Sequence, residues 1–76
     1  MQLEILTPDK KLYSGEATSV TVPGTLGSFT VLNDHAPIIS TLDRGEILVN
    51  SGAQRFTVKS GVIEVLKNKV TILAEE

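Results

Sequence analysis

One histidine and no cysteine leave this chain few groups that titrate or attack near neutral pH. His35 is the imidazole, and Asp34 precedes it. A nucleophile–base pair would need a Ser or Thr brought beside that ring, which sequence alone does not show. The plainer reading is a loop histidine that bonds to backbone or meets a partner. Gly24-Thr25-Leu26-Gly27 invites comparison with a phosphate cradle. A P-loop, however, needs four residues between its glycines, then Lys and Ser or Thr, then a helix. Those features are missing, so the glycines read as turn positions. The carboxylates are scattered, and oxygen ligands without clustered spacing do not make a metal site. Phe29, Phe56 and Tyr13 are the only aromatics, and Lys10-Lys11 the one small basic pair, so no stacking platform runs along a basic groove. The net charge of −2 likewise argues against a nucleic-acid footprint. We read a non-catalytic chain with no cofactor and no metal.

The elements that would carry these residues are strands. Eight Val, six Ile and eight Thr place 22 β-branched side chains in 76 residues. Such side chains are stiff at χ1 and suit a pleated surface. Frequent Gly and Pro between short alternating runs indicate an all-β sandwich or small barrel, in one domain over residues 1–76. Leu3 and Ile5 alternate with Gln2 and Glu4. Thr7-Pro8-Asp9-Lys10 has turn chemistry. Residues 18–22 and 28–32 alternate again, and residues 38–42 are extended. Ile47 and Val49 face Phe56 and Val58 across a hairpin. Residues 62–76 are ambiguous, since Val62, Val65, Leu66, Val70 and Leu73 would also line a helix. Their β-branching favours two strands joined at Lys67-Asn68-Lys69, where Asn tolerates a left-handed turn. The expected core is Val20, Val22, Phe29, Val31, Val49, Phe56 and Val58. Adjacent apolar pairs (Ile5-Leu6, Ile38-Ile39, Val62-Ile63, Val65-Leu66) cannot all point inward at period two. They mark either bulges and strand ends or outward surfaces for a partner.

The order of motifs narrows the reading. Val22-Pro23-Gly24-Thr25-Leu26-Gly27-Ser28-Phe29, then Val31-Leu32, then His35-Ala36-Pro37-Ile38-Ile39 closely resembles the epsilon subunit of rotary F-type ATP synthases. The likeness continues through Leu42, Gly45, Ile47, Phe56, Gly61, Glu64-Val65 and residues 70–74, and so covers essentially the whole chain. The resemblance implies a flattened two-layer β-sandwich of about ten short, mostly antiparallel strands. It implies a central-stalk subunit bound to gamma and to the membrane ring of c subunits, coupling ring rotation, driven by protons or sodium, to ATP synthesis. Such a subunit is peripheral, on the cytoplasmic side of the bacterial inner membrane. Gly24, Gly27, Ser28 and Phe29 match the family's ring-facing loop. His35, Ala36 and Pro37 match a second loop, expected beside the first at one end of the sandwich. Ile38, Ile39 and Leu42 are assigned to the gamma side. Ser28 stands where the family is often acidic, and Asn33-Asp34 replaces a more usual Pro-Gly. Most members continue past the position of Glu76 into a helical hairpin. A naturally short subunit and a truncated chain both remain open; if the 76 residues are the whole subunit, the expectation is one that couples but neither self-inhibits nor binds ATP.

Two other readings compete. A biotinyl or lipoyl carrier domain would be all-β and of this size, with Lys10, Lys11, Lys67 or Lys69 displayed at a hairpin tip. An orphan protein-binding β-domain would share most of the physics.

Overall fold

Leu3 and Ile5 are fully buried while Gln2 is exposed, so the period-two pattern yields strand β1 (Gln2–Leu6) with one face inward. The same alternation gives the rest of the computed structural model, which describes residues 1–76. The further strands are β2 (Lys11–Glu16), β3 (Ser19–Gly24), β4 (Gly27–Leu32), β5 (Ile38–Leu42), β6 (Gly45–Val49), β7 (Gln54–Val58), β8 (Ser60–Leu66) and β9 (Lys69–Glu75). There are nine strands where about ten were expected, and no helix. Residues 62–76 form the β8–β9 hairpin, with Ile63 opposite Ile72 and Val65 opposite Val70. Lys67 and Asn68 turn it with φ of 52° and 60°, the left-handed pair of a type I′ turn.

The strands make one sheet in the order β2-β1-β9-β8-β5-β3-β6-β7, with β4 paired to β3. All pairs are antiparallel except β1 with β9. The halves are joined where β5 meets β3, through the single pair Gly24–Leu42. The inner faces of both halves share one core: Leu3, Ile5, Ile63, Val65, Val70 and Ile72 from one, Val20, Val22, Val31, Ile47, Val49 and Val58 from the other. This is the two-layer sandwich, folded over at the Gly24 corner. Gly24 is buried, and a Cβ there would lie 2.7 Å from the Gly27 carbonyl oxygen and 2.8 Å from the Phe29 ring. No other residue fits without moving backbone, and the Phe29 ring covers the surface that the missing side chain leaves bare.

Phe29 and Phe56 depart from the expected core, because both are only half-buried. Phe56 on β7 packs edge-on against Tyr13 on β2, ring centroids 6.4 Å apart at 73°. Strands β2 and β7 are the two ends of the sheet path. The aromatic pair therefore lies across the seam where the sheet nearly closes on itself, which keeps one side of Phe56 in solvent. The deep core is aliphatic, led by Leu3, Ile5, Ile47, Ile63 and Ile72. Accordingly Ile63→Ala should cost about 2–5 kcal/mol in denaturant unfolding. Phe56→Ala should cost less than Ile63→Ala; the reverse order would contradict this packing.

Candidate functional site

The apolar doublets resolve into one surface. Ile5-Leu6 straddles a register shift in the β1–β2 pair. In the other three doublets one member faces inward and the other outward. Ile39 is 73% exposed, Leu66 49% and Val62 39%, and Leu73 beside them is 56% exposed. Val62 pairs with Leu73 and with Thr41, and Ile39 with Glu64, so these side chains share the outer face of β5, β8 and β9. Pro37, Ile38, Ile39, Glu64, Val65 and Leu66 line a shallow cleft of about 310 Å³ on it. Glu64 sits among these apolar groups without an ion-pair partner, while Glu4 farther along is within 3.6 Å of Lys11 and 3.9 Å of Lys69. Of the three residues assigned from sequence to gamma, Ile39 is on this face, Ile38 is half-buried at its rim, and Leu42 is in the core.

The two loops expected side by side are not adjacent. Gly24 and Gly27 flank the two-residue turn that joins β3 to β4, whereas residues 33–37 leave the far end of β4 and enter β5. Six residues of strand separate them, roughly 17–20 Å at about 3.3 Å per residue. A turn at each end of one strand must lie at opposite ends of the sandwich, a consequence of pairing that linear order conceals.

At the first end, the turn is braced on β5. The Thr25 amide donates to the Thr41 carbonyl at 3.1 Å, and the two hydroxyls are 2.9 Å apart. The Asp43 amide donates to the Pro23 carbonyl at 2.8 Å. Gly27 takes φ of 132°, where a side chain would be strained. Leu26 at the tip is fully exposed, a large apolar side chain held out on a rigid turn. Ser28 is exposed beside it and Phe29 turns back onto Gly24.

At the second end, the loop is tied from both sides. The Met1 ammonium donates to Asn33 Oδ1 and, at 2.9 Å, to the Ala17 carbonyl. The Asp34 amide donates to Asn68 Oδ1 at 2.8 Å, and the His35 amide to the Leu32 carbonyl at 3.2 Å. Asp34 has φ of 62° and so occupies the conformation that glycine would fill most easily. The His35 Nδ1 is 2.7 Å from the Ala36 carbonyl oxygen, which makes Nδ1 the donor in this bond. Ala36 and Pro37 are exposed and lead into the cleft. The outward roles of Val62 and Leu66 were foreshadowed only by the doublets, and that of Leu73 had no such signal. The role of Asn68 had no signal beyond its fitness for a turn.

Comparison with known proteins places these surfaces in context. The family described as "ATP synthase, Delta/Epsilon chain, beta-sandwich domain" matches residues 1–76. The chloroplastic ATP synthase epsilon chain of Tetradesmus obliquus is 42% identical over 78 residues, spanning 100% of this chain and 57% of that one. The ATP synthase epsilon chain of Chlorobium limicola is 37% identical over 78 residues, spanning 99% of this chain and 89% of that one. This chain thus spans under two thirds of several relatives and most of others. Among solved structures, a chain of the Tetrahymena thermophila mitochondrial ATP synthase central stalk and c-ring has the same fold. Its TM-score is 0.85 at 16% identity, over 99% of this chain and 63% of that one. The family match displaces the carrier-domain and orphan readings.

The left-handed Asp34 makes a testable demand. Asp34→Val should lower stability by about 1–2 kcal/mol, since a branched side chain resists positive φ, while Asp34→Gly should stay close to the parent. Equal melting of the two variants would contradict the loop conformation.

Proposed function

The chain belongs to the family of the ATP synthase delta/epsilon chain β-sandwich domain, and we propose that it is a non-catalytic part of the central stalk, joining gamma to the c ring. In this role it transmits ion-driven ring rotation to the machinery that makes ATP. It is peripheral, on the cytoplasmic side of a bacterial inner membrane, and contributes binding surfaces rather than reacting groups.

The observation that carries this reading is the presence of two distinct exposed apolar features on a small domain, a tip residue on a turn and a sheet face. A coupling element must hold two partners at once, and so needs two sites that do not overlap. Leu26 on its braced turn is one. The face of Ile39, Val62, Leu66 and Leu73 with its cleft is the other. Exposed apolar groups clustered on a soluble domain are characteristic of partner contacts.

The ring-facing site is assigned to Gly24, Gly27, Ser28 and Phe29 with Leu26 at the tip. Exposed Ser28 offers a hydroxyl rather than a charge there, so this contact relies on shape and apolar burial. His35, Ala36 and Pro37 sit at the opposite end and adjoin the Ile39 cleft, so they move from the ring side to the gamma side. Ile38 and Ile39 stay with gamma. Leu42 supports the corner from inside and touches no partner. Glu64, unpaired within an apolar face, calls for a Lys or Arg on the facing surface of gamma.

Both sites can be broken without unfolding the domain, because their side chains are in solvent. Leu26→Glu should weaken attachment to membranes carrying the c ring by about tenfold or more while sparing gamma binding. Ile39→Glu should weaken binding to purified gamma by a similar factor. If both variants melt and bind like the parent, the proposed surfaces are wrong.

A further inference from the structure

We propose that Asn68, in the turn between β8 and β9, is a positioning residue for the His35 loop and sets the opening of the cleft beside it. This inference rests on the reading of that loop and cleft as the gamma-facing side.

The turn itself does not call for asparagine at this place. In a two-residue type I′ turn the second position favours glycine, and asparagine is preferred at the first. Here the first position is Lys67 and the second Asn68, both at positive φ. What asparagine supplies over glycine is a side-chain amide, and that amide is in use. Its Oδ1 accepts from the Asp34 amide at 2.8 Å. Its backbone carbonyl accepts from the Gln2 amide at 3.1 Å, which fixes the turn against β1. The side chain thus reaches the loop from an anchored base.

The loop needs such a hold. Asp34 occupies a left-handed conformation at some cost for a residue with a Cβ. The Asp34 amide has its bond to Asn68, and no sheet partner, to keep it there. The position of this bond matters for the cleft. Ile38 pairs with Val65, and the bond lies just beyond that pair, between the loop and the turn. Pro37 and Leu66, two walls of the cleft, come respectively from the loop and the strand that this bond ties together. Losing the bond leaves β5 and β8 paired but frees the segment that carries His35, Ala36 and Pro37.

The same device recurs elsewhere in the fold. Asn50, also left-handed in a hairpin turn, accepts through Oδ1 from the Thr18 amide at 2.8 Å and from the Thr18 hydroxyl at 3.0 Å. Asn33 accepts from the Met1 ammonium. The three asparagines of the chain all tie neighbouring connections together, and Asn33 and Asn68 hold the loop at the cleft from its two sides.

The test uses two variants. Asn68→Gly keeps the turn and deletes the acceptor; Asn68→Asp keeps an acceptor and tolerates the same φ. Amide hydrogen exchange is followed residue by residue, and binding to purified gamma is measured alongside. In Asn68→Gly the Asp34 amide should exchange about tenfold faster or more, with the β8 and β9 amides unchanged, and gamma binding should weaken several-fold. Asn68→Asp should restore both. Unchanged Asp34 exchange in Asn68→Gly would overturn the positioning role. Faster exchange with undiminished gamma binding would instead overturn the gamma-facing reading of the loop, leaving a held loop that gamma does not use.

Discussion

A sheet that folds onto itself buries one face and leaves the other in water, and every feature of this domain follows from that constraint. These 76 residues build one core shared by the two inner faces. Period-two alternation sends Leu3, Ile5, Ile63, Val65, Val70 and Ile72 inward with their counterparts from the other half. The residues between them face outward. Where these are Thr, Glu or Lys, water is sufficient. Where they are Ile39, Val62, Leu66 and Leu73, apolar area remains exposed on the outer face. The outer face is the remainder of the folding problem, and in a member of a multisubunit family it is the natural place for a neighbour.

The corner at Gly24 makes the fold-over possible and, by the same geometry, creates the other surface. The close approach that excludes a side chain at Gly24 brings β3, β4 and β5 together at one end. Thr25 and Thr41 brace the turn, and Leu26 is left projecting. At the far end, connections of irregular length meet and are tied by asparagine side chains rather than by strand pairing. One end is therefore a rigid tip and the other a cluster of laced loops. The proposed stalk role, with two partners, would use both.

Much of this was legible in the residues. Strand positions, the β6–β7 hairpin and the division of residues 62–76 into two strands follow from β-branching, period two and turn chemistry. The doublets correctly raised the question of outward apolar groups, and the motif order indicated the family. Three things were not legible. The separation of the Gly24 turn from the His35 loop depends on both lying at the ends of β4, which is a matter of pairing. The half-exposure of Phe56 depends on β2 and β7 being the ends of the sheet, a property of strand order. The work of Asn68 depends on a contact with Asp34, 34 positions away, that no local pattern encodes.

The central claim is that two partners occupy separate sites on this one domain, one at the Leu26 tip and the other on the Ile39 face. The most direct measurement places a photoreactive amino acid at position 26 or at position 39 in the assembled complex and identifies the captured chain. Position 26 should capture the c subunit and position 39 gamma. Capture of one and the same chain from both positions, or the reverse assignment, would contradict the claim.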